Sequence, residues 1–194
     1  PLLERIAEDA CSLTDITVKP MQKYPAPPFT TSTLQQEAAR KLGFSVSQTM
    51  KIAQQLYEAG LITYMRTDSV NLSSLAINTA KEVITESFGT EYSAPHNYHT
   101  SSKGAQEAHE AIRPTYISNR EVEGSLPMQR LYELIWKRTA ASQMSNAKTE
   151  KTTVAVTGEK SGERFTVTGE VIKFDGFLRL YKESTEEEPE QEND

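Results

Sequence analysis

The chain has 194 residues and a mass of 21.7 kDa, enough for one or two domains with real cores. Apolar residues make up 37% and charged residues 25%, which excludes collagen-like and wholly disordered classes. The 21 basic and 27 acidic residues give −6, but Glu183, Glu186, Glu187, Glu188, Glu190, Glu192 and Asp194 all follow Lys182, so the body is close to neutral and a nucleic-acid partner stays open.

Residues 14–19 (TDITVK) alternate, with Ile16 and Val18 on one side, and predict a strand. Pro20, Pro25, Pro27 and Pro28 then enforce an extended connector. From Phe29 the pattern is helical. Thr31 or Ser32 can cap a helix carrying Leu34, Ala38 and Leu42 that stops at Gly43. Ser45 with Gln48 suggests a capping box for a second helix, with Val46, Met50, Ala53 and Tyr57 as its buried stripe and Gly60 at its end. Leu61 to Arg66 reads as extended, which completes the outline of a winged helix.

Residues 73–88 predict a third helix, capped by Ser73 or Ser74, with Ala76, Ala80, Val83, Ile84 and Phe88 inward and Gly89 at its end. A polar loop spans 90–104, a short helix is expected over 105–113 before Pro114, and a longer one over 127–143. After Met144 the period becomes two. Residues 152–156, a turn from Gly158 to Gly162, then 164–174 and 177–181 predict an antiparallel meander. Pairing these strands with the N-terminal one gives an α and β chain of more than one domain: a helical module, 29–144, inserted into a discontinuous antiparallel β domain, 1–28 plus 145–182, with an acidic tail, 183–194.

The lone Cys11 excludes an intrachain disulfide and a thiolate metal cage, and reads as a small buried apolar group in a reducing compartment. No apolar run reaches the ~18 residues of a membrane span. The chain starts at Pro1 within helix or strand material, as expected of an excerpt from a longer protein.

GxGxxG, GxxxxGK and GxSxG are all missing. His109-Glu110-Ala111-Ile112-Arg113 begins like a zinc-binding HExxH but has Arg113 at the second histidine position. His96 and His99 read as ordinary loop histidines. In an extended Leu61–Arg66, Tyr64 and Arg66 project to the same side. A phenol ordinarily titrates near about 10; a neighbouring fixed cation favours the anion, and a guanidinium can hold phosphate oxygens bidentately. A covalent phosphotyrosyl enzyme is then conceivable, although Tyr-x-Arg also arises by chance in strands. On a 105–113 helix, His109 and Arg113 would share a face, suited either to a phosphodiester or to a surface pair in which Glu110 neutralises Arg113.

The segments PAPPFTTSTLQQEAARKLGF (25–44), GLITYMRTDS (60–69), QEAHEAIRPT (106–115), QRLYELIWKR (129–138) and FDGF (174–177) occur in this order, and together they closely resemble the bacterial type IA DNA topoisomerases. The resemblance runs over about residues 1–182. It implies that Tyr64 is the nucleophile that attacks a phosphodiester of single-stranded DNA, forming a 5′-phosphotyrosyl link and freeing a 3′-hydroxyl. It implies that Arg66 holds the scissile phosphate, that His109 lies near the active site, and that Arg113 is a DNA-binding candidate. It further implies a Toprim domain in the complete enzyme, carrying the Mg²⁺ ligands and lying outside this chain. On this reading the chain alone binds no cofactor and does not cleave DNA. The expected partners are single-stranded DNA and the missing domains of the same chain, in a monomeric, cytoplasmic, nucleoid-associated enzyme with no membrane contact. The alternative is a winged-helix regulatory module that binds DNA without catalysis.

Overall fold

Strand β1 runs from Cys11 to Lys23 in a computed structural model that describes residues 9–99 and 109–182. The acidic run 183–194 and residues 105–108 of the expected short helix lie outside the described residues. β1 is longer than the alternation suggested and continues through Pro20, which faces Glu150 of the neighbouring strand. Proline is tolerated there because β1 is an edge strand. Its antiparallel partner β2 (Ala147–Gly158) is central and pairs in turn with β3 (Arg164–Phe174), giving the order β1-β2-β3. The pairing of the N-terminal strand with the C-terminal meander is therefore as expected. Cys11 is exposed, not buried, because it sits at the start of the edge strand.

The chain divides into two units, 1–23 with 146–175, which holds this sheet, and 24–145 with 176–194, which holds the helices. Tyr24 to Pro28 and residues 176–182 thus group with the helices rather than with the sheet. For the first stretch the reason is anchoring within the helical unit: Arg138 Nε donates to Pro27 O (2.7 Å) and Tyr98 Oη to Pro25 O (3.0 Å). Phe177 to Tyr181 is not a strand. Gly176–Arg179 forms a 3-10 turn, with the Tyr181 amide bonded back to Phe177 O at 3.0 Å and the Phe177 amide to Ser145 O at 2.9 Å.

In the helical unit, α1 (Thr31–Leu42) is capped by Thr30, not by Thr31 or Ser32; Thr30 and Thr33 exchange reciprocal bonds in a capping box. The helix ends on Gly43 at φ 69, the left-handed conformation that side chains resist. A Cβ at Gly43 would meet nothing within 4 Å, so Gly43→Ala should cost only the backbone strain, about 1 kcal/mol. Urea denaturation would show this as a lower midpoint with an unchanged slope.

α2 (Val46–Glu58) is capped by Ser45 and buries Thr49, Ile52, Ala53 and Leu56. Val46 and Tyr57, expected inside, are exposed. The helix is rotated because Thr49 can be buried at no polar cost, its hydroxyl bonding Ser45 O at 2.9 Å. Ser73 caps α3 (Ser74–Phe88), which buries Ala80 and Ile84. Long α4 (Leu126–Ser142) is the core of the unit: Leu131, Tyr132, Ile135 and Trp136 are buried, and both α1 and α2 pack on it.

Among the described residues the segment after Gly60 forms an isolated bridge, Ile62 to Pro114, and no hairpin wing. The expected 105–113 helix is absent over its described part, 109–113, which is extended. Pro114 disfavours helical backbone at Arg113. The amides that a helix would use internally are bonded elsewhere: Ala111 N to Asn71 O (2.8 Å), Ile112 N to Phe29 O (2.8 Å) and Arg113 N to Thr63 Oγ1 (3.0 Å). Among the described residues no helix is long and apolar enough to cross a membrane.

Candidate active site

Three motifs far apart in sequence meet at the loop Thr63–Ser69. On one side Thr63 lies against the extended 111–115 segment, its amide bonded to Arg113 O (2.9 Å) and its hydroxyl to Ala111 O (2.7 Å). On the other side the first turn of α1 grips residues 65–67: the Thr31 amide donates to Thr67 O (2.9 Å), and the Thr31 hydroxyl donates to Met65 O (2.7 Å). Between these grips the side chains alternate. Met65 is buried at 1% exposure, while Tyr64 at 44% and Arg66 face solvent. Tyr64 and Arg66 thus both point outward, without any ladder strand.

The Tyr64 ring rests edge-on against Tyr57 of α2, with centroids 5.3 Å apart and planes at 66°. Among the described residues no hydrogen bond or ion pair engages the Tyr64 hydroxyl, the Arg66 guanidinium or the Asp68 carboxylate. An open hollow beside the loop is lined by Thr31, Ser32, Arg66, Thr67, Asp68 and His109. Arg66 and His109 are therefore brought together across 43 positions of sequence, with the N-terminus of α1 beside them. Most amides of that helix end are already used, Thr31 N on Thr67 O and Thr33 N on Thr30 Oγ1, so what it offers an anion is chiefly the positive end of the helix dipole.

Arg113 does not join this hollow. Its guanidinium forms a two-point pair with Glu110 (Nη2 to Oε2 2.7 Å, Nε to Oε1 3.1 Å) and also donates to Pro114 O (2.9 Å). Glu110 in turn accepts the Ser73 amide at 2.8 Å, tying the segment to the start of α3. Burial pushes the Glu110 carboxyl up, but the bonds from Arg113 and Ser73 outweigh it and hold the group below its ordinary value. A depressed carboxyl contributes stability that is complete above its unfolded value and is lost as pH falls through the folded one. Melting temperatures of wild type and Glu110→Gln should therefore differ at neutral pH and converge in acid; a gap independent of pH would show that the charge is irrelevant.

Thr31, Ser32 and Asp68 join the site unforeseen. The first two read as helix caps in sequence, and only the transfer of that role to Thr30 frees them. Among the described residues no group of three or more His, Cys, Asp or Glu could hold a metal ion, and the hollow itself offers one carboxylate and one imidazole. His96 is a structural loop residue, its Nε2 lying 3.2 Å from Met144 O.

Residues 2–194 match the model of a family described as DNA topoisomerase, and the chain belongs to that family. The motif resemblance is thereby borne out. Over 91% of its length the chain is 53% identical to a DNA topoisomerase 1 of Zymomonas mobilis, covering 15% of that protein. It is 44% identical to one of Rickettsia bellii over 99% of its length and 26% of the relative's. A full-length topoisomerase I from Thermotoga maritima superposes with a TM-score of 0.76 at 39% identity, over the whole of this chain and 34% of that one. The chain thus spans only 15% to 34% of the length of these three proteins.

Proposed function

We propose that the chain is the tyrosine-bearing central part of a type IA topoisomerase, which relaxes negative supercoils by cleaving and resealing single-stranded DNA through Tyr64. The observation that supports this best is the pinned loop, which presents a phenol and a guanidinium to solvent on either side of buried Met65. The Tyr64 oxygen attacks the phosphorus of a backbone phosphodiester and gives up its proton. The bond from phosphorus to the 3′ oxygen breaks, that oxygen takes up a proton, and the phosphate remains on Tyr64 as a 5′-phosphotyrosine. One phosphoester replaces another, so resealing runs the same step backwards without ATP.

Arg66 supplies a planar fork for the phosphate oxygens. His109, lining the same hollow, adds an imidazole beside them. Arg113 shapes the 109–115 segment through Glu110 and is less suited to gripping DNA. The described carboxylates do not form a Mg²⁺ site. The proton for the 3′ oxygen is assigned to a group outside the described residues, in the Toprim domain of the complete enzyme. That enzyme is read as a monomer working on cytoplasmic DNA, with the sheet unit as its flexible arch.

A denaturing gel of end-labelled single-stranded DNA tests this division of labour. The complete enzyme should give a shifted covalent band in the presence of Mg²⁺, and this chain alone should give none. A Tyr64-dependent band from the chain alone would move the proton transfers onto its own residues, His109 first. No covalent band from the complete enzyme would favour a regulator that binds DNA without cutting it.

A further inference from the structure

We propose that Thr31 and Thr63 are positioning residues for the reaction: their hydroxyls set the direction in which Tyr64 and Arg66 leave the backbone. The proposal rests on the assignment of Tyr64 as nucleophile. Thr31 is the first residue of α1 and is not needed as its cap, since Thr30 and Thr33 close the capping box. Its hydroxyl is therefore spent on the loop. It donates to Met65 O (2.7 Å), lies 3.1 Å from Thr67 O, and accepts the Thr67 amide at 2.9 Å. These are the backbone groups immediately before and after Arg66.

Thr63 does the same on the other side of Tyr64. It donates to Ala111 O (2.7 Å) and accepts the Arg113 amide at 3.0 Å. Each hydroxyl uses its single proton and one lone pair on backbone, so neither is free to act as an acid or to bind DNA by donation. What they hold is a stretch without ladder pairing: the bridge at Ile62 is isolated, and residues 64–66 have no strand neighbour among the described residues. The orientation of the phenol and the guanidinium then depends on these two clamps and on the plug of Met65 in the core. Loss of alignment by about 1 Å at a reacting group costs on the order of 100-fold in rate.

Valine keeps the shape of threonine and removes the hydroxyl. In the complete enzyme, Thr31→Val and Thr63→Val should each lower the single-turnover cleavage rate about 100-fold and leave the affinity for single-stranded DNA unchanged. Thr31→Ser and Thr63→Ser should restore the rate, because they restore the hydroxyl without the methyl. Tyr64→Phe is measured alongside. If it cleaves, the assignment of the nucleophile fails and the proposal with it. If it is inactive while both valine variants cleave at the wild-type rate, the nucleophile stands and the positioning role is wrong. Failure of serine to rescue, or loss of the thermal unfolding transition in the valine variants, would equally overturn the proposal, since the threonines would then be general packing elements.

Discussion

Tyr64→Phe in the complete topoisomerase is expected to abolish cleavage and relaxation while leaving binding of single-stranded DNA and the melting temperature unchanged. The substitution removes one oxygen. Among the described residues that oxygen has no partner, so no buried group is left unpaired by its loss. The ring stays and keeps its edge contact with Tyr57. The whole effect therefore falls on chemistry, and removal of a covalent nucleophile costs on the order of 10⁶-fold in turnover. Plasmid relaxation, anisotropy with a labelled oligonucleotide and thermal unfolding separate the three quantities. Retained relaxation would overturn the assignment of Tyr64, and a large loss of binding or stability would show a second role for the hydroxyl.

Phe29→Ala is expected to give the largest loss of stability, about 3 to 5 kcal/mol, the range for a buried aromatic cut to alanine. The side chain is fully buried, and the Arg138 guanidinium lies 4.8 Å from its ring centroid. Arg138 is itself 2% exposed, so the cation loses an aromatic face that burial otherwise makes valuable. The backbone of Phe29 also accepts the Ile112 amide at 2.8 Å. A collapse at this point therefore reaches the segment that holds Thr63. Denaturant midpoints should fall sharply for Phe29→Ala and shift little for Tyr116→Ala, whose ring is 66% exposed. Equal shifts would show that the core around Phe29 relaxes to fill the gap.

Much of this was legible in the residues themselves. Helix ends are local events, so Gly43, Ser45 and Ser73 marked theirs correctly: the signals lie within one turn of the backbone groups they satisfy. Period-two alternation likewise revealed β2 and β3, and with them the antiparallel partner of β1. The outward direction of Tyr64 and Arg66 needed only the two-residue spacing around an apolar Met65.

Tertiary structure decided the rest. Residues 109–113 carry a helix-like pattern, yet their amides bond Asn71, Phe29 and Thr63, partners 40 to 83 positions away that no local window contains. That choice separated Arg113 from His109, gave Arg113 to Glu110, and left Arg66 and His109 in one hollow. α2 turned Thr49 inward, where its hydroxyl is satisfied within the helix, and the cap on Thr30 released Thr31 to the 63–69 loop. Sequence alone determined which residue types and motifs are present and the helix ends marked by Gly43, Ser45 and Ser73. Which side chains meet depended on long-range hydrogen bonds, because an extended segment has no internal partners and takes its conformation from whatever it pairs with.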